Sequence, residues 1–433
     1  MRRIRWGDAD AAASLEALPF AGETIFMGAE EKVAPILDGV RNHGDLALVQ
    51  YTKTFDDVVI SPDRIPVPEA TLKEALGALP AEAREALELA AGRIRDFHEA
   101  CLPQKTETRP APGERFALRP IPLRRVGFYI PGGRGAYPSS VLMSAVPARV
   151  AGVEEIVMCS PPAGEDGEIA SVVLAAAALA GVDRVFRVGG AQAIAAMAYG
   201  TESIGKVDKI VGPGNIFVAA AKRLVRDVAD VDKDAGPSEV VVILDSPAHA
   251  EWAAADLIAQ AEHDPSAMAA AVAIGGEAAG AVDESVARQV ESAHRREVIE
   301  KALKGQGAIV EVSSCDEALE VAERLAPEHL ELMIERPGEF AARVRSAGAI
   351  LLGPWSGAPF GDYIAGPNHI LPTGKAARFA SPLGVLDFLK WSSEVELDSG
   401  AAARLAGPAA RLAELEGFPA HARALRMRAG GEQ

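Results

Sequence analysis

Aromatic side chains are scarce in this 433-residue chain, at 5% Phe, Trp and Tyr, so its core cannot be built around large rings. Alanine is abundant instead, which points to helices packed closely on small side chains. Basic charge is also short. Lys and Arg total 44 against 61 Asp and Glu, a net charge of −17. Such a chain repels phosphate backbones, which argues against nucleic acid as the main partner. Cysteine is nearly absent. Cys101, Cys159 and Cys315 stand far apart without a CxxC pair, which excludes a disulfide scaffold and predicts buried, reduced thiols. Long hydrophobic runs are missing too. The longest, Ile169–Val182, is interrupted by Ser171 and falls short of the roughly 20 residues that span a bilayer. No apolar run follows the basic start, so the expectation is a soluble, cytoplasmic protein without a signal peptide or a membrane partner.

What is present is alternation. Apolar runs at Val126–Ile130, Glu155–Cys159, Arg184–Val188, Lys209–Val211 and Glu239–Leu244 are mostly separated by alanine-rich helical stretches, at βαβ spacing. Further strands are predicted at Ala269–Ile274, Ala308–Val312 and Gly348–Gly353, and helices at Ala81–Cys101, Pro247–Glu262 and Ser314–Leu325. Ser314 and Glu317 have capping-box spacing. The pattern predicts an α/β fold with parallel sheets. Its simplest division is an N-terminal segment 1–24, a main α/β body of 25–128 and 239–383, an inserted α/β domain 129–238, and a C-terminal arm 384–433. Ala401–Arg428 reads as helical with its own Pro419.

A complete GxGxxG fingerprint is lacking. Turns rich in glycine or proline nevertheless follow several strands: Pro131-Gly132-Gly133, Ser160-Pro161-Pro162, Gly189-Gly190 and Gly212-Pro213-Gly214-Asn215. In open α/β sheets those strand ends form the ligand crevice, so a cofactor cleft is expected there.

Three further clusters can carry chemistry. Gln260 and His263 lie three apart on a predicted helix and share a face, either as a hydrogen-bonded helix end or as metal ligands. Glu328-His329 pairs two titratable groups of different natural pKa, suited to two separate proton transfers, or else it is a solvated dipeptide. Asp362 opens an irregular Gly/Pro-containing stretch, Gly361–Gly374, where His369 either lines a site or braces the loop. Glu416 and His421 sit five apart in the C-terminal arm. His43, His98, His249 and His294 read as surface residues.

In this order the segments resemble the histidinol dehydrogenase family, from about Asp45 to Arg428. The resemblance rests on GFYIPGG (127–133), VLMSAVPARVAG (141–152), VGGAQAIAAMAYGTE (188–202), VDKIVGPGNIFV (207–218), AGPSEVVVILD (235–245), AQAEHDP (259–265), APEHLEL (326–332), GDYIAGPNHILPT (361–373) and LDFLK (386–390). It implies two incomplete Rossmann-like parallel-sheet domains with small N- and C-terminal helical pieces, in an intertwined homodimer. It implies NAD contacts at Tyr129, Gln192 and Asn215, and one zinc ion per subunit held by Gln260, His263, Asp362 and His421. Glu328 and His329 become the catalytic bases. Substrate contacts fall to Ser238, Gln260, His263, His329, Asp362, Glu416 and His421, with the arm crossing to the neighbouring subunit. The implied reaction takes L-histidinol through L-histidinaldehyde to L-histidine with two NAD⁺, the last steps of histidine biosynthesis. Two alternatives stand beside it: a relative oxidising another small alcohol, such as a sulfonated diol, with the same apparatus, and a zinc hydrolase in which Glu328 activates water. One departure from the family pattern is visible. Pro354–Gly361 lacks the acidic residue that many relatives carry after its first or second proline.

Overall fold

The computed structural model describes residues 1–18, 23–132, 135–164, 166–233 and 236–430, with the side chains of residues 23–27 left aside. Gly133 of the first strand-end turn lies outside the described residues. In chain order the strands are β1 (Arg2–Arg5), β2 (Pro66–Val67), β3 (Thr106–Thr108), β4 (Glu114–Pro122) and β5 (Arg125–Tyr129). Next come β6 (Glu155–Ser160), β7 (Arg184–Arg187), β8 (Lys209–Val211), β9 (Asp230–Val231) and β10 (Glu239–Leu244). The last are β11 (Met268–Ile274), β12 (Gly307–Val312), β13 (His329–Met333), β14 (Ala349–Leu352) and β15 (Leu389–Leu397).

They form two six-stranded sheets and one small antiparallel sheet. The first sheet runs β2-β7-β6-β5-β8-β9, parallel except for β2 at its edge. The second runs β1-β12-β11-β10-β13-β14 and is parallel throughout. Leaving out the edge strands β2 and β1, each is a doubly wound sheet whose order reverses beside its first central strand, β5 or β10. The fold is α/β with two incomplete Rossmann-like domains, as expected.

The central strands of each sheet are apolar on both faces, because strands covered by helices on two sides are buried along their length. Val126, Phe128, Ile156 and Met158 face one core, while Tyr129, Val157 and Cys159 face the other. In the second sheet Val240, Val242 and Leu244 face one core, while Val241 and Ile243 face its opposite. Alanine fills the helix sides of these cores, which is how so few aromatics suffice.

The division of the chain differs from the interrupted-module expectation. The helices within 23–100 pack on the first sheet, against the helices Pro138–Ala151, Ser171–Ala180, Gly190–Tyr199 and Ile216–Leu224. The boundary expected at 128 falls inside β5, a central strand. The N-terminal segment is no separate piece, since β1 extends the second sheet beside β12. The C-terminal arm begins as β15, paired antiparallel with β4. Apolar periodicity marks a strand but not its neighbours, so pairing across 270 residues was not readable locally.

Two side-chain expectations are corrected. Cys159 is buried, but Cys101 and Cys315 are exposed, each at a helix end. His98 is buried rather than on the surface. It continues the Ala90-Ala91-Ile94 face of the Ala81–Ala100 helix, and its Nδ1 lies 2.8 Å from the Ile94 carbonyl.

Candidate active site

The nucleotide-side candidates gather where the first sheet reverses its order. Tyr129 ends β5, Gln192 lies in the first turn of the helix after β7, and Asn215 caps the helix after β8. The Tyr129 hydroxyl accepts the Gly190 N–H at 3.1 Å. Burial pushes its pKa up to about 12, so it remains a phenol. Asn215 Oδ1 accepts from the N–H groups of Phe217 and Val218 at 3.0 and 3.1 Å. Gln192 is 1% exposed, and its Nε2 has no partner among the described residues. Gly212 (φ +115°) lets β8 pass so close to β5 that a Cβ there would lie 2.2 Å from the Tyr129 carbonyl oxygen. Beneath this turn the Lys222 ammonium donates to the Gly212 carbonyl and to Asp232, whose other oxygen accepts the Gly212 N–H at 2.9 Å.

The acid–base candidates lie on the second sheet, at the opposite end of its strands. Glu328 and His329 enter β13, and Ser238 directly precedes β10. They therefore sit at the amino-terminal edge, where the strand-end crevice rule does not look. Both bases are buried, at 6% and 4% exposure. His329 Nδ1 lies 3.3 Å from the Glu239 carbonyl, and its Nε2 lies 3.3 Å from Asp362 Oδ1. Burial opposes a charge on this ring, yet the hydrogen bond to Asp362 and the charges of Glu328 and Asp362 outweigh it and lift its pKa to about 9. Asp362 shows the counterpart. Burial would raise it, but the hydrogen bond to His329 and the nearby His329, His369 and His263 hold it below its ordinary value. Burial pushes Glu328 up to about 7 against the lowering influence of His329.

Asp362 is carried by the short helix Ala358–Tyr363, which packs against the helix Ala250–Ala261 bearing Gln260. His263 follows that helix and is exposed, whereas Gln260 is buried, its Nε2 without a partner among the described residues. His369 braces the loop. Its Nδ1 lies 2.6 Å from the Asp362 carbonyl, and its Nε2 lies 3.3 Å from Ser140 Oγ, on a helix of the first domain. Asn368 makes a second crossing, donating to the Met143 carbonyl at 2.6 Å. Glu416 and His421 stand apart on the exposed arm, with the His421 ring tilted against Phe418. Among the described residues no hydrogen bond or ion pair joins either to His263, His329 or Asp362. Nor does any group of three or more His, Cys, Asp or Glu side chains among these residues form a metal cage.

Residues 23–429 match the sequence pattern of a single family, described as histidinol dehydrogenase. The chain belongs to the histidinol dehydrogenase family. Its relatives include the histidinol dehydrogenase of Parasynechococcus marenigrum, 48% identical over 92% of this chain and 90% of that protein. The enzyme of the same name from Cupriavidus pinatubonensis is 47% identical over 99% and 97%. The crystal structure of histidinol dehydrogenase from Elizabethkingia anophelis superposes with a TM-score of 0.93 at 31% identity, over 99% of this chain and 98% of that one. Membership makes the chain an NAD-dependent oxidoreductase. Among its described residues no helix is long and apolar enough to cross a membrane.

Three groups escaped the sequence reading, two of them led by glutamates inside the family motifs. Glu239, next to Ser238, is buried against Glu328. Glu331 accepts the Ala358 N–H at 2.6 Å and lies against Asp256, under the helix that carries Asp362. This pair holds the Pro354–Gly361 turn. Lys222 and Asp232 form the third group. A glutamate opening the apolar run Glu239–Leu244 was the one local signal available. The other partners are far apart in sequence and meet through the sheets.

Proposed function

We propose that this chain oxidises L-histidinol to L-histidinaldehyde and then to L-histidine, reducing two NAD⁺, and that it acts in the cytoplasm. The observation that supports this reading best is the Glu328–His329 pair. Two buried bases of different strength stand on one strand end, in a member of this family.

His329 acts in its neutral form, the minor one below its raised pKa of about 9, and with Nδ1 donating to the Glu239 carbonyl that form keeps its lone pair on Nε2. Nε2 takes the hydroxyl proton of the alcohol as hydride leaves its carbon for the nicotinamide, giving aldehyde and NADH. Glu328 then takes a proton from water as the oxygen adds to the aldehyde carbonyl. The hydrate loses hydride to a second NAD⁺ and a proton to solvent, leaving the carboxylate. Tyr129, Gln192 and Asn215 are assigned to the dinucleotide, and Ser238 and Glu416 to the substrate.

Zinc fits the donor set. Gln260, His263 and Asp362 lie on packed neighbouring elements, and an amide oxygen, an imidazole nitrogen and a carboxylate are donor types that zinc accepts. His421 would complete the set from the partner subunit. When bound, zinc supplies Lewis-acid anchoring for nitrogen ligands and takes up the charge of the Asp362 carboxylate. A homodimer is part of the same proposal. The arm leaves Leu412, Leu415 and Phe418 exposed, an apolar surface of the kind a second copy covers.

The test is to add NAD⁺ with L-histidinol and with a panel of other small alcohols, including a sulfonated diol, and to follow the NADH band. Two NADH per histidinol are expected. Turnover of another alcohol with histidinol inert would replace the substrate. Ester or amide hydrolysis independent of NAD⁺ would point to the hydrolase.

A further inference from the structure

We propose that Glu239 is a positioning residue for the aldehyde step, acting through Glu328 and tying its strand end to the loop that carries Asp362. This rests on the reading of Glu328 as the base that activates water.

The geometry is reciprocal. Glu239 and Glu328 each stand one residue before a register pair, Val240 and His329, in the neighbouring parallel strands β10 and β13. Glu328 Oε2 accepts the Glu239 N–H at 2.9 Å, and Glu239 Oε2 accepts the Glu328 N–H at 3.3 Å. The second Glu239 oxygen accepts the Gly374 N–H at 2.8 Å. One position earlier in that loop, Thr373 Oγ1 accepts the Gly236 N–H at 2.6 Å. A single carboxylate thus fastens the base, the segment of Ser238 and the end of the 361–374 loop.

Such an arrangement is costly unless it has a task. Two carboxyls buried side by side resist ionising together, and Glu239, at 4% exposure, is pushed up to about 8 by burial, with the charge of Glu328 adding to the rise. A neutral side chain could cap a strand end without that cost. The Glu239 side chain also meets the two bases differently. Its carboxylate engages the main chain of Glu328, whereas His329 is held by the Glu239 carbonyl, which side-chain variants retain. Substitution should therefore separate the two half-reactions.

The experiment measures single-turnover oxidation of L-histidinol and, separately, of L-histidinaldehyde by Glu239→Gln, Glu328→Gln and the double variant, with thermal melting as a check on folding. Glu239→Gln keeps the size of the side chain but one carbonyl acceptor in place of two oxygens. It should slow aldehyde oxidation by about 10–10²-fold, the scale of a misplaced catalytic group, and leave alcohol oxidation within about twofold. Added to Glu328→Gln, it should slow the aldehyde step no further. Equal losses in both half-reactions, no loss at all, or additive losses in the double variant would each overturn the proposal. If Glu328→Gln itself spares aldehyde oxidation, the base assignment has failed, and the role of Glu239 falls with it. Should Glu239→Gln not fold, Glu239→Asp keeps the carboxyl group but cannot span both N–H groups. The same selective loss is expected there, and an even loss overturns the proposal.

Discussion

Glu328 and His329 are neighbours in sequence, but the structure gives them different partners, and the proposed division of labour rests on that difference. His329 is oriented at both nitrogens, by the Glu239 carbonyl and Asp362. Glu328 receives a main-chain N–H and is shifted mainly by burial. His329→Asn should therefore slow alcohol oxidation and Glu328→Gln aldehyde oxidation, each by about 10²–10⁴-fold, the usual worth of a positioned acid or base. Stopped-flow traces started from alcohol or from aldehyde separate the two, and equal losses for both variants would remove the division of labour. The sign of the pH effect follows from the same burial. Glu328 works ionised and titrates at about 7, so aldehyde oxidation should rise with pH through about 7 and then level. Glu328→Gln should lack that limb. The same shift means that the folded state holds this proton more tightly than the unfolded chain, so this group's contribution to stability falls as pH climbs from the ordinary carboxyl range to about 7.

At the scale of elements, each candidate loop is held by a buried polar group below it. The Gly212–Asn215 turn is fastened by Lys222 and Asp232, a pair with almost no solvent exposure. Removing one partner of a buried ion pair strands the other and typically costs about 3–5 kcal/mol. Lys222→Met should lower the melting temperature and raise the Michaelis constant for NAD⁺ more than that for histidinol. A variant with nucleotide affinity intact and substrate affinity lost would show that the pair does not serve the turn. Glu331 and Asp256 play the corresponding part under Ala358–Tyr363. The capping-box spacing at 314–317 is realised with a shift. Ser314 Oγ accepts the Glu317 N–H at 3.2 Å, while Glu317 reaches back to the N–H of Ser313 at 2.7 Å rather than to that of Ser314.

For the whole molecule, the two sheets carry different sets of candidate residues, and the arm bears a third. The nucleotide candidates lie at the carboxyl edge of one sheet and the bases at the amino edge of the other, with Ser140–His369 and Met143–Asn368 bridging the two domains. Glu416 and His421 project from an arm that joins neither group. If they serve a partner, mixing inactive His263→Ala and His421→Ala chains should restore about a quarter of the sites. Half of the dimers are then mixed, and each mixed dimer holds one intact site of two. A mixture still dead after heterodimers are shown to form would assign His421 to its own chain. In the same preparations the parent protein should carry about one zinc per chain, and the single variants less.

Local sequence determined most of the elements. Short continuous apolar runs placed β5, β6, β7, β8 and β10 to within a residue or so at each end, because a strand buried on both faces cannot hide its composition. The nine motifs, in order, also determined the family, and with it Glu328, His329 and Asp362, which the fold brings together. Tertiary structure alone decided which sheet each strand joins. It parted residues 25–128 from the 239–383 half of the expected main body, drew β1 into the second sheet and paired β15 with β4. It likewise decided the fate of isolated polar residues: His98 turned into a core, Cys101 and Cys315 turned out to solvent, and Glu239 was buried against a partner 89 positions away in the chain. The physical reason is the same throughout. Periodicity reports whether a face is buried, whereas the partner that buries it is chosen by packing between segments that are remote along the chain.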